Sequence, residues 1–266
     1  MKALITKEVE RFVHEYQKHQ KVHTSWVAPL LAFAGAEDPL FRSLKAVVSP
    51  SHCLPEDLLP GARTVITYFI PFEKRIAKSN RQGSHASREW ARAYVETNQL
   101  IVELNGHLSR VLEKNGFQTM RLPPTHNFDQ QKLMSDWSHK HVAYIAGLGK
   151  FGVHHLLITD KGCCGRLGSM ITNAFFEPTG RVAHEYCLHK YNETCLKCVK
   201  KCPVEALNVS PFDRHGCYGV LLENAKIYED LGLADVCGKC VCIVPCSFRN
   251  PVQRLLVREG KEGGEE

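Results

Sequence analysis

Thiols at metal-ligand spacing are the groups in this sequence best equipped for chemistry. Eight of the twelve cysteines fall in one stretch. It reads Cys195-Leu-Lys-Cys198-Val-Lys-Lys-Cys202-Pro203, then Cys217, then Cys237-Gly-Lys-Cys240-Val-Cys242-Ile-Val-Pro-Cys246. Two residues between cysteines put both sulfurs on one tight turn, so both reach the same metal centre. Two such groups, one ending in Cys-Pro, match iron–sulfur ligation by thiolate. Electron transfer is therefore the first functional expectation.

In two-cluster, ferredoxin-like modules the cysteine before proline crosses over to the other cluster. Cys195 and Cys198 then serve one cluster, and Cys246, beside Pro245, returns to it. Cys202 serves the second, with Cys217, Cys237 and Cys240. The first set is one ligand short, because Asn192 stands where the regular spacing places a thiol. Cys187, from a longer loop, or Cys242 completes it. Zinc accepts the same Cys-x2-Cys pairs, and a single cluster with the other thiols merely buried is a further alternative. Cys53, Cys163 and Cys164 read as structural thiols.

The rest of the chain must position this module. At 266 residues, 44% hydrophobic and 23% charged, it is long enough for one large or two modest globular domains. No uncharged apolar run of about 18 residues offers a membrane span. The first ten residues carry acids where a secretory signal needs an apolar stretch. A cytoplasmic protein with reduced thiols is expected. The net charge of +6 is mildly basic, and no nucleic-acid motif accompanies it.

Apolar spacing predicts an amphipathic helix over the first twenty residues. Residues 62–70 read as a strand stopped by Pro71, and 74–87 as an exposed polar loop. A helix follows over 87–114, ended by Asn115-Gly116. Residues 117–122 read as a short strand and 136–146 as a second helix. Strands are expected over 154–159 and 168–173, and a soft domain boundary falls near residue 180. The acidic tail 259–266 is expected to be disordered.

Gly147-Leu148-Gly149-Lys150-Phe151-Gly152 has the spacing of a dinucleotide-binding turn. A dinucleotide turn follows a strand and opens a helix, whereas here a helix precedes the glycines and a strand follows. No acidic residue stands at a strand end roughly 20 residues on, as the ribose contact requires. A helix cap and tight turn is the competing explanation.

That glycine segment, then Leu156-Leu-Ile-Thr159, Gly165-Arg-Leu-Gly168 and the two cysteine motifs, resembles the epoxyqueuosine reductase family, over about residues 60–250. The resemblance implies an α+β fold: a nitroreductase-like cobalamin-binding domain over 1–180, followed by a ferredoxin-like module with two [4Fe-4S] clusters over 181–258. It implies a cobalamin over the Gly147–Gly152 turn, contacted by Tyr68, Gly147, Leu148, Gly149, Gly152 and Arg166. Electrons would pass from an external low-potential donor of ferredoxin or flavodoxin type, through the clusters, to cobalt. Lys150, like Arg166, is a candidate contact for corrinoid amides or a substrate anion, with solvent the alternative, and His154 and His155 lie near this turn without an assigned ligand role.

The chain also departs from the family. It reads as a short relative without the C-terminal helical repeats. The family's catalytic Asp, in a Val-Asp-Thr-Ala-Pro segment, has Leu133 at its place, with Asp129 and Asp136 the nearest acids. Asp136 and His139 are the candidate proton donors, and Asp136 is expected to pair with Lys140 at i, i+4. A small substrate or another corrinoid protein is the favoured partner, ahead of tRNA. Delivery of electrons to a second corrinoid protein, or a carrier role without cobalamin, are the alternative functions.

Overall fold

The computed structural model describes residues 1–19 and 21–262. Its helices in chain order are α1 (Lys2–His19), α2 (Leu40–Val47), α3 (Pro55–Leu58), α4 (Lys74–Ser79), α5 (Arg88–Glu113), α6 (His139–Ile145), α7 (Leu188–Asn192), α8 (Arg214–Ile227) and α9 (Gln253–Glu262). The strands are β1 (Leu30–Gly35), β2 (Thr64–Pro71), β3 (Thr119–Arg121), β4 (His126–Asp129), β5 (Met134–Trp137), β6 (Lys150–Phe151), β7 (Leu157–Ile158) and β8 (Gly165–Thr172). No described helix is long and apolar enough to cross a membrane.

Four strands form one antiparallel sheet in the order β1-β2-β8-β3. Every position of β2 is buried, because both faces of the sheet are covered. Alternation sends Ile66, Tyr68 and Ile70 into a core with residues of α1 and α5. Val65 and Phe69 face a second core with residues of α2 and α6. Each large aliphatic side chain removed from water here contributes about 1.5–3 kcal/mol. The first core also contains Cys198, Cys242 and Cys246, so the cysteine-rich part packs on the same interior as Ile5 and Leu104.

Helix α5 begins where Ser87 accepts a hydrogen bond from the Trp90 amide, a side-chain N-cap. It ends before Gly116, whose φ of +81° suits the left-handed turn. Two expectations need correction. The segment read as an exposed loop over 74–87 contains α4, with Ile76, Ala77 and Asn80 buried. Asn80 Nδ2 donates to the Cys237 carbonyl at 2.8 Å and lies 3.4 Å from Cys242 Sγ, and Lys239 Nζ donates to the Asn80 carbonyl at 3.1 Å. Polar composition concealed a clamp on the second cysteine motif.

The helix expected over 136–146 is shorter, since Met134–Trp137 pairs with β4 as a hairpin strand and α6 starts at His139. Of the tail expected to be disordered, 259–262 continue α9 and 263–266 lie outside the described residues.

Candidate redox site

The eight candidate ligands fall into two neighbourhoods. Around Cys198, burial first and then the negative charge of Cys246, Cys187 and Cys195 push the thiol up to about 12. Around Cys217, burial and then Cys237, Cys202 and Asp213 push the thiol up to about 11. The Cys240 thiol is raised by burial and then by Cys237, Cys217, Cys198 and Cys202. Uncompensated, such crowding is unfavourable; a cation shared among the sulfurs reverses it. Cys242 has a different setting. Burial and then Cys164 raise its thiol, and Asn80 acts in the opposite direction.

The second set faces open space. Cys202, Cys217, Cys237 and Cys240 all line a cavity of about 520 Å³, with Trp90, Tyr94, Trp137 and Arg166 among its other walls. This cavity shares Ser135, Ser138, Lys140, His155, Phe212 and Cys217 with a larger cleft of about 1250 Å³. Ordinary ligand pockets measure about 300–1,000 Å³, so together they hold more than a small metabolite needs.

Buried polar atoms without partners test whether an iron–sulfur group fits. Trp90 Nε1 has none, although Trp90 lies against Gly238, in the Cys237–Cys240 loop, where a Cβ would come within 2.4 Å of that nitrogen. His184 Nε2 and His189 Nδ1, from residues that flank Cys187 in the sequence, are likewise buried and without a partner among the described residues. Sulfur acceptors fit these N–H donors, and all-thiolate donor sets fit iron–sulfur clusters.

The hairpin β4–β5 forms part of the cleft wall. Strand alternation points Ser135 and Trp137 to the cavity. Asp136 faces the other way: Ser51 Oγ donates to its carboxylate at 2.6 Å, and it lines neither cavity. The expected Asp136–Lys140 pair is therefore corrected, since the two residues share no helix. Asp129 is used within its own turn, accepting from the Gln131 and Lys132 amides at 2.8 and 2.9 Å. Leu133, in a left-handed conformation at φ 53°, occupies the cleft wall instead of an acid.

His139 does line the smaller cavity but is built into its floor. Nε2 donates to the Pro123 carbonyl at 2.8 Å, which leaves Nδ1 to accept from Ser169 Oγ at 2.8 Å. Ser169 Oγ in turn accepts from Trp137 Nε1 at 2.9 Å. This chain fixes one neutral tautomer.

Lys140, half-buried, lines both cavities and donates to the His155 carbonyl at 3.1 Å. Burial first, and then the Arg214 guanidinium, lower its ammonium to about 8. In the sequence Lys140 offers only the i, i+4 pairing with Asp136. Its cleft position depends on α6 beginning at His139, which residue pattern did not reveal.

The proposed cofactor contacts are spread more widely than expected. Gly152 lines the larger cleft and Arg166 the smaller, where Arg166 lies over the Tyr94 ring at 4.3 Å and bonds Asn98. Tyr68 is instead fully buried and donates to Asn105 Oδ1 at 2.9 Å. Its ring lies over Gly168, where a Cβ would approach it to 2.5 Å. Leu148 is a core residue, and Lys150 sits 5.4 Å from the Tyr144 ring centre.

Gly147 and Gly149 line neither cavity. Gly147 caps α6 at φ +83° against the Gly180 carbonyl, and Gly149 abuts the Ile158 carbonyl, where a Cβ would come to 2.1 Å. At Gly147 and Gly149 the glycine spacing serves close backbone packing, and Tyr68, Gly147, Leu148 and Gly149 lie outside the walls of both cavities.

No protein-family model matches the chain, and no curated protein sequence does. Solved structures do. The Bacillus subtilis epoxyqueuosine reductase, captured with its catalytic loop swung out of the active site, superposes with a TM-score of 0.56 at 20% identity over 91% of this chain. The chain has the epoxyqueuosine reductase fold. An epoxyqueuosine reductase bound to an epoxyqueuosine-modified tRNA-Tyr stem loop gives 0.56 at 18% identity over 91% of this chain. The Streptococcus thermophilus enzyme gives 0.53 at 16% over 90%. The chain spans 66% of the length of each of these structures.

Proposed function

We propose that this protein is an iron–sulfur reductase that delivers electrons into the cleft beside α6. One [4Fe-4S] cluster is held by Cys187, Cys195, Cys198 and Cys246, the other by Cys202, Cys217, Cys237 and Cys240. The observation that carries the reading is that all four cysteines of the second set wall the smaller cavity, which opens into the larger cleft. Electrons leaving that cluster enter a group bound there without crossing protein.

The fold neighbours support a corrinoid as that group, and the combined space accommodates one. Arg166, Gly152 and the aromatic wall of Trp90, Tyr94 and Trp137 would hold it. A bound corrinoid supplies a low-potential, strongly nucleophilic cobalt. The 1–180 part then forms the corrinoid side and 181–258 the cluster side, in the cytoplasm, with a ferredoxin- or flavodoxin-type donor.

Reductive cleavage consumes a proton. Asp136 faces away and His139 has both nitrogens engaged, so Lys140 is the better donor: it faces both cavities and its ammonium releases a proton near neutral pH. The absence of an acid at Leu133 favours a second reading, in which the corrinoid of another protein is the acceptor.

Iron, sulfide, zinc and cobalt per chain in anaerobically purified protein test the function. About eight iron and eight sulfide are expected; zinc in place of iron overturns it. After incubation with excess cobalamin, corrinoid absorbance should travel with the protein through gel filtration. Turnover of an epoxyqueuosine-modified stem loop separates a tRNA reductase from an enzyme of a small substrate. Iron without retained corrinoid, together with reduction of an added corrinoid protein, selects the second reading.

A further inference from the structure

His154 is buried in the wall between the first cysteine set and the smaller cavity. Its Nε2 lies 3.5 Å from Cys246 Sγ. With Cys163, the three potential ligand atoms fall within 4.8 Å of one another, close enough to hold a metal ion. The other ring nitrogen decides between a ligand and a donor. Nδ1 accepts the Leu156 backbone N–H at 3.1 Å. A neutral imidazole that accepts at Nδ1 carries its proton on Nε2. The nitrogen facing Cys246 therefore has an N–H to give and no lone pair for a metal.

Local packing holds the ring in that position. A Cβ at Gly152 would come within 2.8 Å of both His154 Cε1 and Nε2, so only glycine lets the ring lie this close to the chain. The Cys163 amide donates to the Cys246 carbonyl at 3.0 Å, which fixes the sulfur-bearing segment against the same wall. The third glycine of the motif thus serves the cluster side of the molecule.

We propose that His154 donates an Nε2–H···S hydrogen bond to Cys246 and thereby raises the reduction potential of the first cluster. The inference rests on Cys246 being a ligand of that cluster. One added electron increases the negative charge on the thiolates, so the N–H stabilises the reduced form more than the oxidised form. His154 is a positioning residue for electron flow and not a ligand.

The test compares anaerobically reconstituted wild type, His154→Phe and His154→Gln by iron, sulfide and zinc content and by a redox titration followed by electron paramagnetic resonance. His154→Phe should keep its iron and lower one cluster's reduced-to-oxidised ratio about tenfold at fixed potential, a shift of about 59 mV for one electron. His154→Gln, with an amide N–H, should recover part of the shift. His154→Leu replaces the Phe variant if the larger ring does not fold against Gly152. Unmoved potentials with full iron overturn the inference alone. Loss of about half the iron, or of a zinc ion, in the His154 variants makes the residue a ligand and also overturns it. Wild type without iron overturns the proposed function and this inference with it.

Discussion

The two cysteine sets have different surroundings. Cys187, Cys198 and Cys246 are buried, and none of the first set lines either cavity. Cys202, Cys217, Cys237 and Cys240 are half-buried and all line the smaller cavity. Neighbouring groups follow the same division. The first set has His154 and Cys163 beside Cys246, whereas the second has Lys140, Arg166 and an aromatic wall. Similar spacing therefore serves two tasks. A cluster enclosed by protein has its potential set by fixed hydrogen bonds, and a cluster facing a cleft meets whatever binds there.

Removing ligands gives the largest effect. Cys198→Ser and Cys217→Ser should each lose about four iron from different clusters, and Cys242→Ser should lose none. Full iron in Cys187→Ser, with loss in Cys242→Ser, would move the boundary between the sets. If Cys217→Ser does not fold, the order of iron loss to a chelator in wild type reads the same comparison: the cleft-side cluster should go first.

Lys140→Met should keep all iron and lower turnover by about 10²–10⁴-fold, with epoxyqueuosine-modified stem loop as the first substrate to assay. By nuclear magnetic resonance of ¹³C-methylated lysines, one ammonium should titrate near 8 and vanish in this variant. A normal titration for Lys140 would remove the chemical contrast between the two sides.

Ser169→Ala is smaller in effect. It leaves the Trp137 N–H and His139 Nδ1 without their shared partner. Unfolding of the reconstituted protein should register a loss of about 1–3 kcal/mol. Unchanged iron content would show that the cleft floor and the clusters are separable.

Near neutral pH the smallest effect concerns His141, which faces the larger cleft. Burial, then Lys140 and His52, lower its imidazolium to about 3. The unfolded chain takes up this proton near about 6.5 and the folded chain only near 3. Its contribution to stability is therefore complete above about 6.5 and declines as pH falls towards 3. His141→Gln should flatten that part of an acid unfolding curve.

Several features were legible from residue order because they depend on local geometry. The start of α5 at Ser87, its end at Gly116 and the strand stopped by Pro71 follow from contacts within a few residues. Cys-x2-Cys spacing likewise brings Cys195 near Cys198 and Cys237 near Cys240 without reference to the fold. Asp136 was harder to place, because a short polar segment before a helix has no decisive period. As a strand residue it faces Ser51; as a helix residue it would have faced Lys140.

Sequence by itself determined the donor chemistry: many thiols, closely spaced, with few acids among them. Tertiary structure decided which thiols share a neighbourhood and which face space. Cys187 lies by Cys198 and Cys242 by Cys164, a choice made by loops distant in the chain. The glycine spacing shows the same limit. It announces close approach, but only the packed chain shows that Gly149 meets Ile158 and Gly152 meets His154. Spacing encodes local reach, whereas partners across the fold are selected by burial and by the pairing of polar groups that burial requires.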